Sequence, residues 1–160
     1  MRCSVWNRVL LALVLISAAG LIARAVSAPQ TTSTENSGVS YFPHQEVSAR
    51  FAKGGCLYRP AEGNFNVMTA RRDHGGDSEL HRNYTDIFYI VKGSAAFVTG
   101  GKMVNPRQIG PGEMRGSGVA GGRTWHLSTG DVIVIPAGTP HWFKQVSSAV
   151  LYFVVKVRQE

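Results

Sequence analysis

Two histidines and two carboxylates stand at spacings that could place them together on strands. Glu79 and His81 are two residues apart in a short segment. Because successive side chains of a strand alternate between its two faces, both point to the same side. Asp86 shares a face of the next predicted strand with Phe88. His141 begins a later strand, directly after a turn that contains proline and glycine.

Imidazole nitrogens and carboxylate oxygens together form a ligand set for a divalent metal ion. Such mixed ligands suit iron(II), manganese, zinc or nickel, and a site with two histidines and one carboxylate keeps coordination positions open. Open positions allow a metal to polarise a bound oxygen or to activate a water molecule. The residue types therefore permit a catalytic metal centre, provided that the strands converge.

The turn before His141 belongs to the most informative stretch of the chain, residues 130–145. Residues 132–135 are four β-branched residues in a row and predict a buried strand. Pro136 ends that strand because proline cannot donate to a ladder, and Gly138 with Pro140 predicts a tight turn. The imidazole of His141 is thereby expected at the start of a returning strand.

This stretch resembles the second sequence motif of the cupins. That motif reads glycine, five residues, proline, any residue, glycine, two residues, histidine, three residues, asparagine. The matching positions are Gly130, Pro136, Gly138 and His141. Gln145 stands where the motif has asparagine. The resemblance implies a cupin barrel in which His141 is a metal ligand.

A weaker form of the first cupin motif lies upstream. Cupins usually show histidine, any residue, histidine, three or four residues, glutamate, six residues, glycine. His81, Asp86 and Gly93 are in register with the second histidine, the carboxylate and the glycine, and Glu79 stands at the first histidine. The resemblance spans about residues 64–157. It implies that Glu79, His81, Asp86 and His141 converge on one divalent metal ion.

Each candidate also has an ordinary structural interpretation. His141 could be a core histidine, Glu79 a solvated carboxylate, and Asp86 a group that orients His81 instead of a ligand. His126 is a surface histidine or an auxiliary ligand or acid–base group near the metal. Three aromatic residues are candidate pocket walls, with core packing as the alternative: Phe88, Trp142 and Phe143.

The remaining pattern predicts an all-β protein with one short helix. The helix is expected over residues 43–53. Strands are expected at 64–72, 79–81, 86–91, 95–99, 123–127, 132–135, 141–145 and 150–157. Gly93 and residues 99–102 are expected to form tight hairpins, and 105–112 a turn-rich loop. Many short strands indicate a sandwich or barrel, and the cupin resemblance implies a double-stranded β-helix, or jelly roll.

The N-terminal segment is typical of an export signal. Residues 1–28 combine arginines, an apolar run and small residues suited to cleavage. The run is short for a membrane span, which needs about 20 residues, although an uncleaved anchor is the alternative. Residues 29–41 are predicted to be a flexible linker and 42–160 the barrel domain. We expect a periplasmic or secreted protein without stable membrane insertion after cleavage.

Charge and family resemblance set the expected partners. Removing residues 1–28 takes three arginines from the 17 basic residues, which leaves 14 against 10 acidic residues and lowers the net charge from +7 to +4. No basic stripe interleaved with aromatic residues is visible, so we expect no nucleic-acid partner. The resemblance implies a small organic ligand or substrate, and a homodimer, since cupins commonly pair. A non-catalytic cupin whose metal is structural or absent is the alternative to an enzyme.

Overall fold

The protein is built from antiparallel strands that form two facing sheets. The computed structural model describes residues 38–160, so the expected signal segment and most of the expected linker lie outside the described residues. The helix is α1 (His44–Lys53). The strands are β1 (Gly55–Tyr58), β2 (Phe65–Arg72), β3 (Ser78–His81), β4 (Tyr84–Lys92), β5 (Ser94–Thr99), β6 (Lys102–Val104), β7 (Arg107–Gly110), β8 (Glu113–Gly116), β9 (Gly118–Ala120), β10 (Arg123–Ser128), β11 (Val132–Ile135), β12 (His141–Val146) and β13 (Val150–Arg158).

The sheet order is that of a jelly roll and agrees with the predicted fold class. One sheet has the order β1-β2-β13-β4-β11, and the other has the order β10-β5-β12-β3-β8-β7. Strands β6 and β9 form a separate pair. Inward-facing side chains of both large sheets form one core around Phe97, whose ring centroid lies 4.6 Å from that of Phe143. Alternation along each strand therefore places one apolar face inside the barrel.

Helix α1 lies against the outside of the barrel, as the apolar spacing in residues 43–53 predicts. Pro43 precedes the first helical residue, and the N–H of Gly54 donates to the carbonyl of Arg50 at the other end. Phe51 is the buried residue of the helix and makes an edge contact with Phe153 at 5.0 Å between ring centroids. Phe153 lies between two core residues of β13, so it points away from the barrel interior.

The prediction of tight hairpins at Gly93 and at residues 99–102 is wrong. Strands β4 and β5 belong to different sheets, and so do β5 and β6. At Gly93 the chain therefore crosses from one sheet to the other. Gly93 has a φ of +87°, and a Cβ there would lie 2.5 Å from the carbonyl oxygen of Ala149. The glycine serves a tight corner, which the sequence does not distinguish from a hairpin turn.

Two further expectations need correction. Residues 105–112 are not only a loop, because they contain β7, which pairs with β8 at the edge of a sheet. A short edge strand tolerates the flanking prolines that suggested a loop. Strand β11 is also an edge strand: Val132 and Val134 are 61% and 55% exposed, and only Ile135 is buried. Its β-branched residues predict the strand correctly but not its burial: Ile133 and Ile135 face the core, whereas Val132 and Val134 alternate to the exposed outer face of the sheet.

Candidate metal centre

Three of the four candidate ligands lie on neighbouring strands of the six-stranded sheet, and the fourth, Asp86, lies on β4 of the five-stranded sheet. Glu79 and His81 are on β3, and His141 is the first residue of β12. Strands β12 and β3 pair so that His141 is directly opposite Glu79. Opposite residues of paired strands have their Cβ atoms on the same face and close together. The register therefore places the imidazole of His141, which follows the turn at residues 136–140, beside Glu79 and His81.

The turn before His141 orients its imidazole. The N–H of Gly138 donates to the carbonyl of His81 at 2.8 Å, which ties the turn to the end of β3. Nδ1 of His141 donates to the carbonyl of Thr139 at 3.1 Å. A proton on Nδ1 leaves the lone pair on Nε2 in the neutral ring. Within residues 38–160, that buried Nε2 atom has no hydrogen-bond partner.

A carboxylate binds the Nδ1 atom of His81, on the side of the ring away from the candidate metal ligands. Its Nδ1 atom donates to Oε2 of Glu113, and Glu113 is the residue directly opposite His81 on β8. Its Nε2 atom lies 3.5 Å from Glu79 Oε2 and 3.4 Å from Asp86 Oδ2. A carboxylate on the far nitrogen is the usual arrangement that orients a metal-binding histidine. Burial works to lower the pKa of His81, but the hydrogen bonds with Glu113 and Glu79 outweigh it and raise that pKa.

These groups fit a metal ion. Ligand atoms of Glu79, His81 and His141 all lie within 4.8 Å of one another. Burial lowers the pKa of His141, which favours the neutral ring that a metal requires. The cluster therefore offers two histidines and one carboxylate as ligands, and one of its nitrogen atoms, Nε2 of His141, is buried with a free lone pair.

Asp86 reaches the same centre but is bound by an ammonium group. Its Oδ2 atom lies 4.0 Å from His141 Nε2. Lys156, directly opposite on β13, donates to both of its oxygens at 2.6 and 2.8 Å. The carboxylate is therefore neutralised by the adjacent strand of its own, five-stranded sheet.

Glu79 is held by two guanidinium groups. Arg72 donates to its Oε1 atom, and Arg115 Nη1 lies 2.8 Å from its Oε2 atom. Arg115 is directly opposite Glu79 on β8. Burial works to raise the pKa of Glu79, but His81, Arg115 and Arg72 outweigh it and hold that pKa well below its usual range.

A cavity of about 280 Å³ opens above the cluster, between the two large sheets. Its apolar wall comprises Met68, Ala70, Phe88, Phe143 and Val154. Its polar lining comprises Arg72, Glu79, His81, Asp86, Arg115, His141, Tyr152 and Lys156. Phe88 and Phe143 thus lie in the cavity wall, whereas Trp142 points to the other face of β12 and donates from its Nε1 atom to the carbonyl of Gly76. His126 is exposed on β10, away from the cavity.

Comparison with known proteins decides the family. A family model described as Cupin matches residues 60–160. The chain belongs to the cupin family. No curated protein sequence matches this cupin closely enough to count as a relative.

Solved structures agree with the cupin fold. Among them, BH2720 of Bacillus halodurans is 15% identical, with a TM-score of 0.53 over 77% of this chain and 84% of that protein. The EutQ protein of Clostridium difficile is 17% identical, with a TM-score of 0.44 over 67% of this chain and 62% of that one. A Streptomyces PAC13 variant solved with uridine is 12% identical, with a TM-score of 0.43 over 67% of this chain and 69% of that one. At these identities the likeness concerns the fold alone.

Sequence reasoning missed the charged residues that surround the candidate ligands in this cupin: Arg72, Glu113, Arg115 and Lys156. A signal existed for two of them, because Arg72 follows Met68 and Ala70 at every second position of β2 and all three line the cavity. Val150, Tyr152 and Val154 alternate along β13 as inward residues, so the same period places Lys156 inside the barrel. Glu113 and Arg115 lie beyond a stretch that read as a loop, and their position depends on the β3–β8 register.

Proposed function

We propose that this cupin is exported and holds one divalent metal ion in its barrel, where it binds or acts on a small organic molecule. One observation carries the metal site of this proposal. Nε2 of His141 is buried without a partner in residues 38–160, and it faces ligand atoms of His81 and Glu79 within 4.8 Å. A buried polar atom is costly unless it is paired, so a metal ion would satisfy it.

In this proposal the ligands are Nε2 of His81, Nε2 of His141 and Oε2 of Glu79. Asp86 stays with Lys156, because both of its oxygens already accept hydrogen bonds from the ammonium group. When bound, iron, manganese, zinc or nickel would polarise an oxygen of the substrate or of water. The carbonyl of Thr139 and the carboxylate of Glu113 hold the two imidazole rings, and Phe88 and Phe143 keep one side of the cavity dry.

A second candidate is a non-catalytic cupin that binds a small ligand, with a structural metal or none. The ion pairs favour it: Arg72 and Arg115 already compensate Glu79, and Lys156 compensates Asp86. Such a closed set of charges can persist without a metal ion. Elemental analysis of protein purified from its native compartment tests for the metal, and its absence would favour the second candidate.

Metal titration of single variants tests the proposal. We expect His141→Ala and His81→Ala to abolish tight binding of Zn²⁺ and Mn²⁺, and Glu79→Ala to weaken it strongly. His126→Ala is the matched control, because that histidine is exposed and lies outside the cavity. Circular dichroism checks that each variant is folded. Unchanged metal affinity in His141→Ala would exclude the metal site, whereas a silent Asp86→Ala would restrict the ligands to two histidines and Glu79.

Export is tested separately. We propose that cleavage leaves a mature chain starting near residue 26 or 29, because small residues precede both positions. N-terminal sequencing of the exported protein would identify that start. An intact Met1 on it would contradict cleavage and favour a membrane anchor. None of the helices within residues 38–160 is long and apolar enough to cross a membrane. A homodimer stays a prediction that sedimentation measurements would test.

A further inference from the structure

We propose that the cavity recognises the carboxylate group of a small organic ligand through Arg72 and Arg115, and that Glu79 competes for these arginines until a metal ion draws it away. The inference rests on the metal site of the proposed function for its second part. The first part stands on the arginines alone, and the two parts are tested separately below.

The structure already displays a carboxylate in this position. Arg72 holds Oε1 of Glu79, and Arg115 lies 2.8 Å from Oε2, so the two guanidinium groups flank one carboxylate. Guanidinium groups match the planar carboxylate better than a point charge does. Their side chains are 26% and 27% exposed, whereas that of His141 is 4% exposed. The two arginine side chains are therefore less deeply buried than His141, and both line the cavity, where Nη1 of Arg115 is itself buried.

The charge balance of the cavity calls for an anion once a metal is bound. Its three cationic side chains are Arg72, Arg115 and Lys156, and they face Glu79 and Asp86. With Glu113 behind His81, the cationic and anionic side chains cancel. A divalent ion with neutral histidines then leaves two positive charges uncompensated in a largely buried place. Buried charge is unfavourable unless it is paired, so an anionic ligand would be bound more tightly than a neutral one.

One oxygen atom links the metal to the arginines. Oε2 of Glu79 lies 3.5 Å from Nε2 of His81 and 2.8 Å from Nη1 of Arg115. Nη1 of Arg115 is buried and makes no hydrogen bond within residues 38–160, and coordination of a cation by this oxygen would also weaken its ionic attraction for Arg115, which leaves the guanidinium group to a ligand. Metal and carboxylate should therefore increase each other's affinity, because such coupling is reciprocal.

The apolar lining of the cavity indicates which kind of ligand, apart from its carboxylate, would fit there. Met68, Phe88 and Val154 contribute to its apolar wall, and the guanidinium of Arg72 lies 5.2 Å from the centre of the Phe143 ring. A volume of about 280 Å³ suits a small molecule. The expected ligand thus has one carboxylate and an apolar or aromatic body.

Isothermal titration calorimetry with benzoate and benzamide tests this inference, since the two probes have nearly the same shape and differ in charge. We expect Zn²⁺-loaded protein to bind benzoate about tenfold or more tightly than benzamide, as a lost hydrogen bond to a charged group predicts. We expect binding to be about tenfold weaker in chelator-treated protein, within the usual range of coupling. Benzamide binding as tightly as benzoate would overturn the inference, and so would inorganic phosphate binding as tightly as benzoate.

Arginine variants separate recognition by the arginines from direct coordination of benzoate by zinc. Arg115→Gln and Arg72→Gln should each weaken benzoate binding about tenfold, and Arg115→Lys should weaken it less because the charge remains. Arg107→Gln is the control, since Arg107 pairs with Asp77 on the surface and lies outside the cavity. Benzoate affinity that is unchanged in both glutamine variants would overturn the proposal.

A metal-free experiment keeps this inference separate from the metal proposal. In chelator-treated protein, Glu79→Gln removes the internal anion, so benzoate should bind about tenfold more tightly than to the parent. Adding Arg115→Gln should cancel that gain. A gain in Glu79→Gln without any zinc binding by the parent would support the arginine site and contradict the metal proposal. No gain in a folded Glu79→Gln variant would overturn the arginine site, whatever the zinc result.

Discussion

Removal of the Glu113 carboxylate is the sharpest test of how this cupin would hold a metal ion. Glu113 accepts a hydrogen bond from Nδ1 of His81, and Nε2 of the same ring faces Glu79 and Asp86. Glu113 is not among the residues that line the cavity. In Glu113→Ala, His81 would keep its place on β3 but lose the group that fixes its proton and its ring orientation.

The expected loss of metal affinity follows from this geometry. Loss of a group that orients a ligating histidine typically weakens metal binding by about 10–100-fold. The side chain of Glu113 is 29% exposed, so water can partly replace it as an acceptor. We therefore expect a loss near the lower limit, about tenfold or 1.4 kcal/mol. Glu113→Gln keeps a carbonyl acceptor and should lose less.

Competition with a chromogenic chelator for Zn²⁺ at fixed pH measures this loss. His141→Ala sets the scale for losing a ligand, and Glu62→Ala is the control because Glu62 is exposed. Circular dichroism and thermal unfolding show whether each variant keeps the fold. Equal zinc affinity in Glu113→Ala and the parent would refute an orienting role for Glu113. A loss as large as that of His141→Ala would instead make Glu113 part of the ligand set.

The other predictions concern proton competition, the core and one corner. The pKa of His81 is raised, so a second proton stays on its ring up to a higher pH than usual and competes with a metal ion. We expect the affinity for Zn²⁺ to fall about tenfold per pH unit once the pH drops below that pKa, and chelator competition across pH would measure this fall. Phe97→Ala should lower the free energy of unfolding by about 3–5 kcal/mol in urea titration, since Phe97 is fully buried, and a loss below about 1 kcal/mol would contradict the packing. Gly93→Ala should cost more unfolding free energy than Gly130→Ala. Both glycines have a positive φ, but only at Gly93 would a Cβ meet backbone, the Ala149 carbonyl at 2.5 Å, and equal losses would contradict that corner.

Local sequence patterns determined the elements that carry the candidate ligands. The turn at Pro136, Gly138 and Pro140 needs only residue-specific backbone preferences, and it placed His141 correctly at the first residue of β12. The two-residue spacing placed Glu79 and His81 on one face of β3, because strand side chains alternate. The cupin resemblance supplied the barrel. These signals are local or shared by a family, so they survive in a single sequence.

Only the tertiary structure decided which charges meet. Arg115, Glu113 and Lys156 lie directly opposite Glu79, His81 and Asp86, and each pairing depends on the register of strands that are far apart in the chain. A shift of one residue in a register would turn those side chains to the other face. The same dependence on neighbours left the β-branched run at 132–135 at a sheet edge and turned the corner at Gly93 into a crossing between sheets. Pairing and burial are properties of contacts between distant segments, and these contacts were not apparent from the local sequence pattern.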